Sequence, residues 1–315
     1  MMDILNRIGG NTMPEVCLLG CGGMAPLPER RLTSMLIRQN GKMILVDCGE
    51  GTQIGVKLQG WGFKNIDALC VTHYHADHIA GLPGFLLTMG NSGRRSPFTV
   101  FGPPPLSYVV SALTVIAPQL PFKILLGELP EQTVSRSRFG EFLITAAPMD
   151  HMIPCMAYSF EIERSGKFDE QRARAQGIPQ EYWRILQKGS QVDHNGKILT
   201  PGMVLGPPRK GLKVTYCTDT RPNEQLIELS RGSDLLICEG MYGEEELLEK
   251  AVERKHMLFS EAAEIAEKSD SSELWLTHFS PALRNPGDFL KFAADRFSNT
   301  VIGQDLMTKQ LKFND

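Results

Sequence analysis

Three of the seven histidines fall within six residues, in the stretch C-V-T-H-Y-H-A-D-H-I-A-G-L at positions 70–82. The apolar residues Ile66, Ala68, Leu69 and Val71 predict a buried strand before them, and residues 79–89, with Pro83 in the first turn, predict a helix after them. The polar cluster therefore occupies a strand-to-helix loop. His73 and His75 are two apart and project from one face while the backbone stays extended. Asp77 and His78 follow where the chain turns. Two pairs of nitrogen and oxygen ligands offered to two adjacent points suit zinc or a similar first-row divalent ion, and two such ions close together form a device for hydrolysis. The alternative is a polar loop whose histidines are accidental, and their density speaks against it.

Other segments must bring further ligands to this loop. Residues 16–19 predict a first strand, followed by a glycine-rich turn at residues 19–23 that lacks the lysine of a phosphate-binding loop and the dinucleotide fingerprint. Residues 34–37 and 43–46 predict a hairpin around Asn40-Gly41. The second of these strands runs into D-C-G-E-G-T-Q at 47–53, which reads either as a helix cap and turn or as Asp47 steadying the histidine loop. Strands are predicted at 98–101, 123–126, 142–146 and 156–162, and a helix at 106–116. His151 lies in a loop after a strand, beside Asp150, in a chain that needs a third ligand for each metal. Residues 213–217 deliver Asp219, 235–238 deliver Glu239, and 273–277 deliver His278. An acidic helical stretch from Glu244 leads to His256, and a helix starts at Ser260. Strand ends on one edge of a sheet converge, so His73, His75, Asp77, His78, His151, Asp219 and His278 can share one pocket.

The composition permits one large domain: 315 residues, 42% of them hydrophobic, bury a sizeable core. No apolar run approaches the roughly 20 residues needed to span a bilayer, and the polar lead at residues 1–12 lacks a basic flank followed by an apolar stretch. A cytoplasmic protein is expected, with Met13 as a possible second start. The seven cysteines sit mostly in strand-like runs and read as small buried hydrophobes. Residues 164–211 differ in texture, with glycines and prolines between short polar helical pieces. They hold nine basic and four acidic residues, a surplus of +5 that leaves −8 on the rest of a chain of net charge −3. Such a segment is either a solvated excursion or an arm for a polyanion.

The loop H-Y-H-A-D-H at 73–78, with His151, Asp219, His278 and the early Asp47, resembles the metallo-β-lactamase superfamily, which implies a four-layer αββα sandwich of the α/β class. More narrowly, D-C-G-E-G-T-Q (47–53), H-I-A-G-L-P-G (78–84), G-K-F-D (166–169), G-P-P-R-K-G (206–211), D-T-R-P (219–222) and T-H-F-S (277–280) are similar to the ribonuclease Z family. The likeness runs from about Met13 into the C-terminal part. It implies a catalytic domain of residues 1–163 and 212–315 with residues 164–211 as an inserted basic arm that binds tRNA. It also implies two Zn²⁺ ions, or Mn²⁺ or another divalent ion, with His73, His75 and His151 on one, Asp77, His78 and His278 on the other, and Asp219 bridging. Ala76 stands in place of a usual glycine, Lys255-His256-Met257 in place of Gly-His-Ser, and Ala282 in place of an arginine for which Arg284 is the substitute.

The activity implied is an endoribonuclease that cuts precursor tRNA after the discriminator nucleotide by metal-hydroxide attack. Asp77 accepts the water's proton, and His256, oriented by Glu239, protonates the leaving ribose oxygen. Lys167, Arg209, Lys210 and Arg284 are the expected substrate contacts. The partners implied are precursor tRNA and a second copy in a homodimer, with neither DNA nor a membrane. The alternatives are a related phosphodiesterase or other metallohydrolase of small substrates, and a catalytically silent RNA-binding protein on the same fold. A lactamase is disfavoured because that branch commonly has cysteine at the position of Asp219 and an export signal.

Overall fold

The computed structural model describes residues 13–313, so the polar lead at 1–12 lies outside the described residues. The chain divides into two compact units: one runs up to Phe160 and resumes at Lys213–Lys312, and the other is Glu161–Leu212 with the residues from Phe313.

Alternating apolar residues generate two seven-stranded sheets. The first has the spatial order Met307–Gln310, Glu15–Gly20, Ser34–Gln39, Lys42–Val46, Ile66–Cys70, Phe98–Gly102, Ile124–Glu128. Its last four strands are parallel and its first four antiparallel. Cys17, Leu19, Leu36, Leu45, Leu69 and Val100 pack with Val56, Leu82, Phe85, Leu86, Met89 and Val110 of the covering helices. The alternate residues Val16, Leu18, Ile37, Ile44, Val46 and Ala68 are also buried, so both faces are covered. The second sheet is ordered Thr300–Ile302, Leu274–Thr277, Leu235–Glu239, Arg209–Cys217, Met156–Arg164, Phe142–Pro148, Ser135–Phe139. Two mixed sheets flanked by helices make the expected αββα, α/β sandwich.

Four strands of the second sheet, from Arg209–Cys217 to Thr300–Ile302, run parallel, which places the ends of three of them, at Asp219, Glu239 and His278, along one edge. The first sheet brings Asp47 and Thr72–His73 to strand ends in the same way. Tyr158 Oη donates to Val71 O at 2.6 Å and Met156 N to Thr72 O at 2.9 Å, tying the histidine loop to the other sheet. At the far edge, Asp305 accepts from Cys21 N at 3.1 Å and Arg31 N at 2.8 Å, next to the antiparallel pairing of Met307–Gln310 with Glu15–Gly20.

The smaller unit has its own apolar centre: Ala173, Ile178, Leu186, Leu199 and Val204, with Phe168, Tyr182, Trp183 and Leu205 against them. It holds the helices Glu170–Ala175 and Gln180–Gln187 and a hairpin, Val192–His194 with Lys197–Leu199, turned by Asn195-Gly196. A bare solvated excursion would have no such core. At its base a Cβ on Gly166 would lie 2.1 Å from Gly206 O, so Gly166 lets the segments cross backbone to backbone.

Several expectations need correction. The helix expected at 79–89 is two helices, Ala76–Ile79 and Leu82–Asn91, because the chain turns again at Gly81. The helix expected at 106–116 ends at Thr114, and the stretch from Glu244 is a short 3-10 turn followed by Leu248–Arg254. Ser135–Phe139, Thr300–Ile302 and Met307–Gln310 are additional strands. All seven cysteines are free and buried.

Candidate metal centre

The loop at 73–78 and the turn at 47–51 are locked together. Cys48 N donates to His78 O at 2.7 Å and Gly81 N to Cys48 O at 2.9 Å. A Cβ on Gly49 would meet Asp77 O at 2.0 Å, and one on Gly81 would meet Gly49 O at 2.0 Å, so only glycine allows this approach. Gly51, not Asp47, caps the following helix. Asp47 instead turns inward, fully buried, accepting from Thr72 N at 2.8 Å and facing His78 Nδ1 at 2.8 Å. That contact leaves His78 Nε2 to face the site. Asp47, Asp219 and His278 all have left-handed backbone, with φ of 57°, 51° and 59°. Each directs its side chain off a strand end at a conformational cost.

Two groups of donors form, overlapped by a third set that shares members with both. His73, His75, His151 and Asp219 place their ligand atoms within 4.8 Å of one another, as do Asp77, His78 and His278; Asp219, His256 and His278 make a third such set. His75 Nδ1 faces His73 Nε2 at 2.9 Å and His151 Nε2 at 3.3 Å. Three nitrogens crowded about one point cannot all be satisfied by one another's protons. Asp219 Oδ1 lies 3.8 Å from His73 and 3.9 Å from His151, whereas Oδ2 lies 3.2 Å from His78 and 3.3 Å from His278. Asp219 Oδ2 and His278 Nδ1 are buried without a hydrogen-bond partner. Convergent lone pairs, orphaned polar atoms and a histidine–carboxylate donor set fit divalent cations.

Electrostatics follow the same geometry. Burial opposes the charge on Asp219, but the imidazoles of His278, His78 and His73 hold its carboxyl well below the usual range. Burial pushes His73 and His151 down, towards the neutral form that can donate a lone pair. Burial also opposes charge on His256, yet the Glu239 carboxylate, 3.0 Å from its Nδ1, lifts the imidazole to about 9. Glu239 is wholly buried, and its Oε1 accepts Thr220 N at 2.6 Å.

The remaining expected contacts lie outside the two donor groups. Lys167 and Lys210 are exposed in the smaller unit, and Arg209 donates to Ser165 O at 3.0 Å. Arg284 is exposed, and its carbonyl accepts from buried Arg30 at 3.0 Å. His194, given no task from sequence, lies 5.3 Å from Tyr182, ring to ring.

Four features escaped the sequence reading. The glycine-rich turn flanks the site: a Cβ on Gly23 would lie 2.8 Å from His278 Nε2, and Met24 N donates to Asp77 Oδ2 at 2.7 Å. The turn was legible, its neighbour was not. Thr72 bridges Asp47 and His73, with Oγ1 3.0 Å from Asp47 and from His73 Nδ1. Arg221 grips Glu261 and donates to His256 O, joining the D-T-R-P turn to the His256 loop. Lys255, with φ of 59°, accepts at its carbonyl from His151 Nδ1 at 3.2 Å and places Nζ 3.0 Å from Asp150. Such an exposed pair contributes about 0–1 kcal/mol, whereas a lysine in left-handed backbone costs about 1–2 kcal/mol.

The Metallo-beta-lactamase superfamily profile matches residues 28–137, and that of the Beta-lactamase superfamily domain matches residues 162–279. The chain is 50% identical to the ribonuclease Z of Clostridium kluyveri over 303 residues, covering 96% of this chain and 100% of the relative. It is 52% identical to that of Agathobacter rectalis over 303 residues, with the same coverage. The crystal structure of the short form of human tRNase Z superposes with a TM-score of 0.68 at 21% identity, covering 95% of this chain and 100% of that one, a likeness of fold. The chain thus belongs to the ribonuclease Z family, metal-dependent endoribonucleases built on the metallo-β-lactamase fold.

Proposed function

We propose that this chain cleaves precursor tRNA after the discriminator nucleotide, leaving a 3′-hydroxyl on the tRNA and a 5′-phosphate on the trailer, and that it uses two zinc ions, with Mn²⁺ or another divalent ion as substitute. The observation that carries this reading is Asp219, which turns one oxygen to each of the two donor groups. In this assignment His73, His75 and His151 hold one ion, Asp77, His78 and His278 the other, and Asp219 both. Such ions supply Lewis acidity and an activated water near neutral pH.

The chain's own residues do the rest. Asp47 orients His78, and the Lys255 carbonyl orients His151. Asp77 takes a proton from the attacking water. His256 gives one to the departing ribose 3′-oxygen: its Nδ1 is committed to Glu239, so Nε2 is the nitrogen available to the substrate.

Residues 164–211 of the smaller unit, which carry the +5 surplus, serve as the tRNA clamp through Lys167, Arg209 and Lys210, with Arg284 as a further phosphate contact. A homodimer in which each subunit's arm grips the tRNA cut by the other is supported by exposed Ile54, Leu58, Leu87, Tyr108, Val115 and Ile116 on or beside the outer helices. No helix among the described residues is long and apolar enough to cross a membrane. The cytoplasm, where tRNA precursors are found, is the proposed location. The test is to incubate zinc-loaded protein with a precursor tRNA and map both product ends. Intact precursor beside a hydrolysed small phosphodiester would replace the tRNA reading with a general phosphodiesterase.

A further inference from the structure

Among the described residues, five with positive φ that are not glycine lie at or beside the donor groups: Asp47, Asp219, His278, Met24 and Lys255. The first three direct side chains into the site. Met24 directs its N–H to Asp77 instead, Leu306 packs on the core of the first sheet, and asparagine or aspartate, which tolerate this backbone, account for Asn40, Asn195 and Asp270 elsewhere, whereas the Lys255 side chain enters neither the site nor the core. Glycine would adopt the same turn without strain and would keep the carbonyl that faces His151. The ammonium does not offset the strain through its ion pair, because Lys255 and Asp150 are 39% and 49% exposed and such pairs contribute little.

The position of that ammonium is informative. Lys255 immediately precedes His256, and Asp150 immediately precedes His151, so the pair sits on the rim between the proton donor and one donor group. Arg221, the neighbouring cation, is already committed to Glu261 and to His256 O. Lys255 differs in that its partner is a solvated carboxylate, which another anion can displace at little cost.

We propose that Lys255 is a contact for an RNA backbone phosphate on the leaving-group side of the scissile bond, masked in the free protein by Asp150. The inference rests on the RNA-cleaving reading above. The phosphate takes the place of the Asp150 carboxylate, so one ion pair is exchanged for another. Because His256 serves the departing ribose oxygen, the phosphate belongs to the tRNA body and not to the trailer. Asp150 masks the ammonium only weakly, and an RNA held elsewhere along its length presents its phosphate at an effective concentration that free small anions do not reach.

Equilibrium binding of a precursor tRNA to the metal-loaded full chain, measured across a salt series, tests this. Lys255→Gly removes the ammonium and leaves the turn and the carbonyl. It should keep the parent's metal content and melting temperature or raise the latter, bind severalfold more weakly, and lower the slope of log K against log salt by about one. Asp150→Asn should bind more tightly than the parent, and that gain should vanish in the Lys255→Gly background. Parental affinity and slope in Lys255→Gly would overturn the proposal. So would equal weakening by both single variants, since an ion pair that merely stitches two loops is broken by either. Loss of metal in Lys255→Gly would make it a positioning residue for His151 instead. If the parent itself shows no salt-dependent RNA binding, the underlying RNA reading fails, an outcome visible before any variant is compared.

Discussion

Glu239 Oε2 stands 3.0 Å from His256 Nδ1 while Glu239 Oε1 accepts the Thr220 N–H at 2.6 Å, so one buried carboxylate fixes both the imidazole and the backbone next to Asp219. His256→Ala should keep metal and RNA affinity while single-turnover cleavage falls by about 10²- to 10⁴-fold. Unchanged cleavage would move the proton-donor role elsewhere. The carboxylate raises the imidazole pKa, so it extends the protonated, active form towards alkaline pH. Glu239→Gln should therefore shift the alkaline limb of the pH–rate profile to lower pH, and an unmoved limb would argue against the pairing.

Asp219 addresses both donor groups, so its removal should not empty only one. Asp219→Ala is expected to lose metal and activity together. Elemental analysis of the folded variant is the check, and two full sites would rule out a bridging role.

The crossing of the 47–51 and 77–81 segments leaves no room for a methyl group on Gly49 or Gly81. Gly81→Ala should cost about 2 kcal/mol or more in stability, since the obstruction is backbone rather than a movable side chain. Chemical denaturation measures the cost, and a midpoint equal to the parent's would show that the crossing is looser than drawn.

Replacing residues 164–211 with a short Gly-Ser linker is sterically reasonable, because the strands entering and leaving the smaller unit are neighbours in one sheet. Precursor binding should weaken strongly and lose most of its salt dependence. Hydrolysis of a small chromogenic phosphodiester should largely survive. An equal fall in both activities in a folded, metal-loaded variant would place the arm within the catalytic centre.

Much of the site was legible because its residues lie at the ends of strongly apolar strands: Val46 leads to Asp47, Cys70 to the histidines, Cys217 to Asp219 and Thr277 to His278. Parallel pairing then makes sequence order into spatial convergence. The contacts between loops were not legible. Nothing local says that Gly23 packs on His278 or that Arg221 reaches Glu261, since those pairs depend on how distant turns pack. Likewise Ser135–Phe139, written S-R-S-R-F, alternates too weakly to announce a strand, and its place beside Phe142–Pro148 makes it one.

The union of Met307–Gln310 with Glu15–Gly20 has a consequence for biosynthesis. Cys21 must wait for Asp305, 284 residues later, before its N–H is satisfied. At about 5–20 residues per second, that is a delay of roughly 15 to 60 s on the ribosome. The turn that carries Gly23 to His278 and Met24 to Asp77 hangs from this late-closing edge, so a nascent polypeptide lacks one wall of its pocket until Asp305 has been made and has folded back.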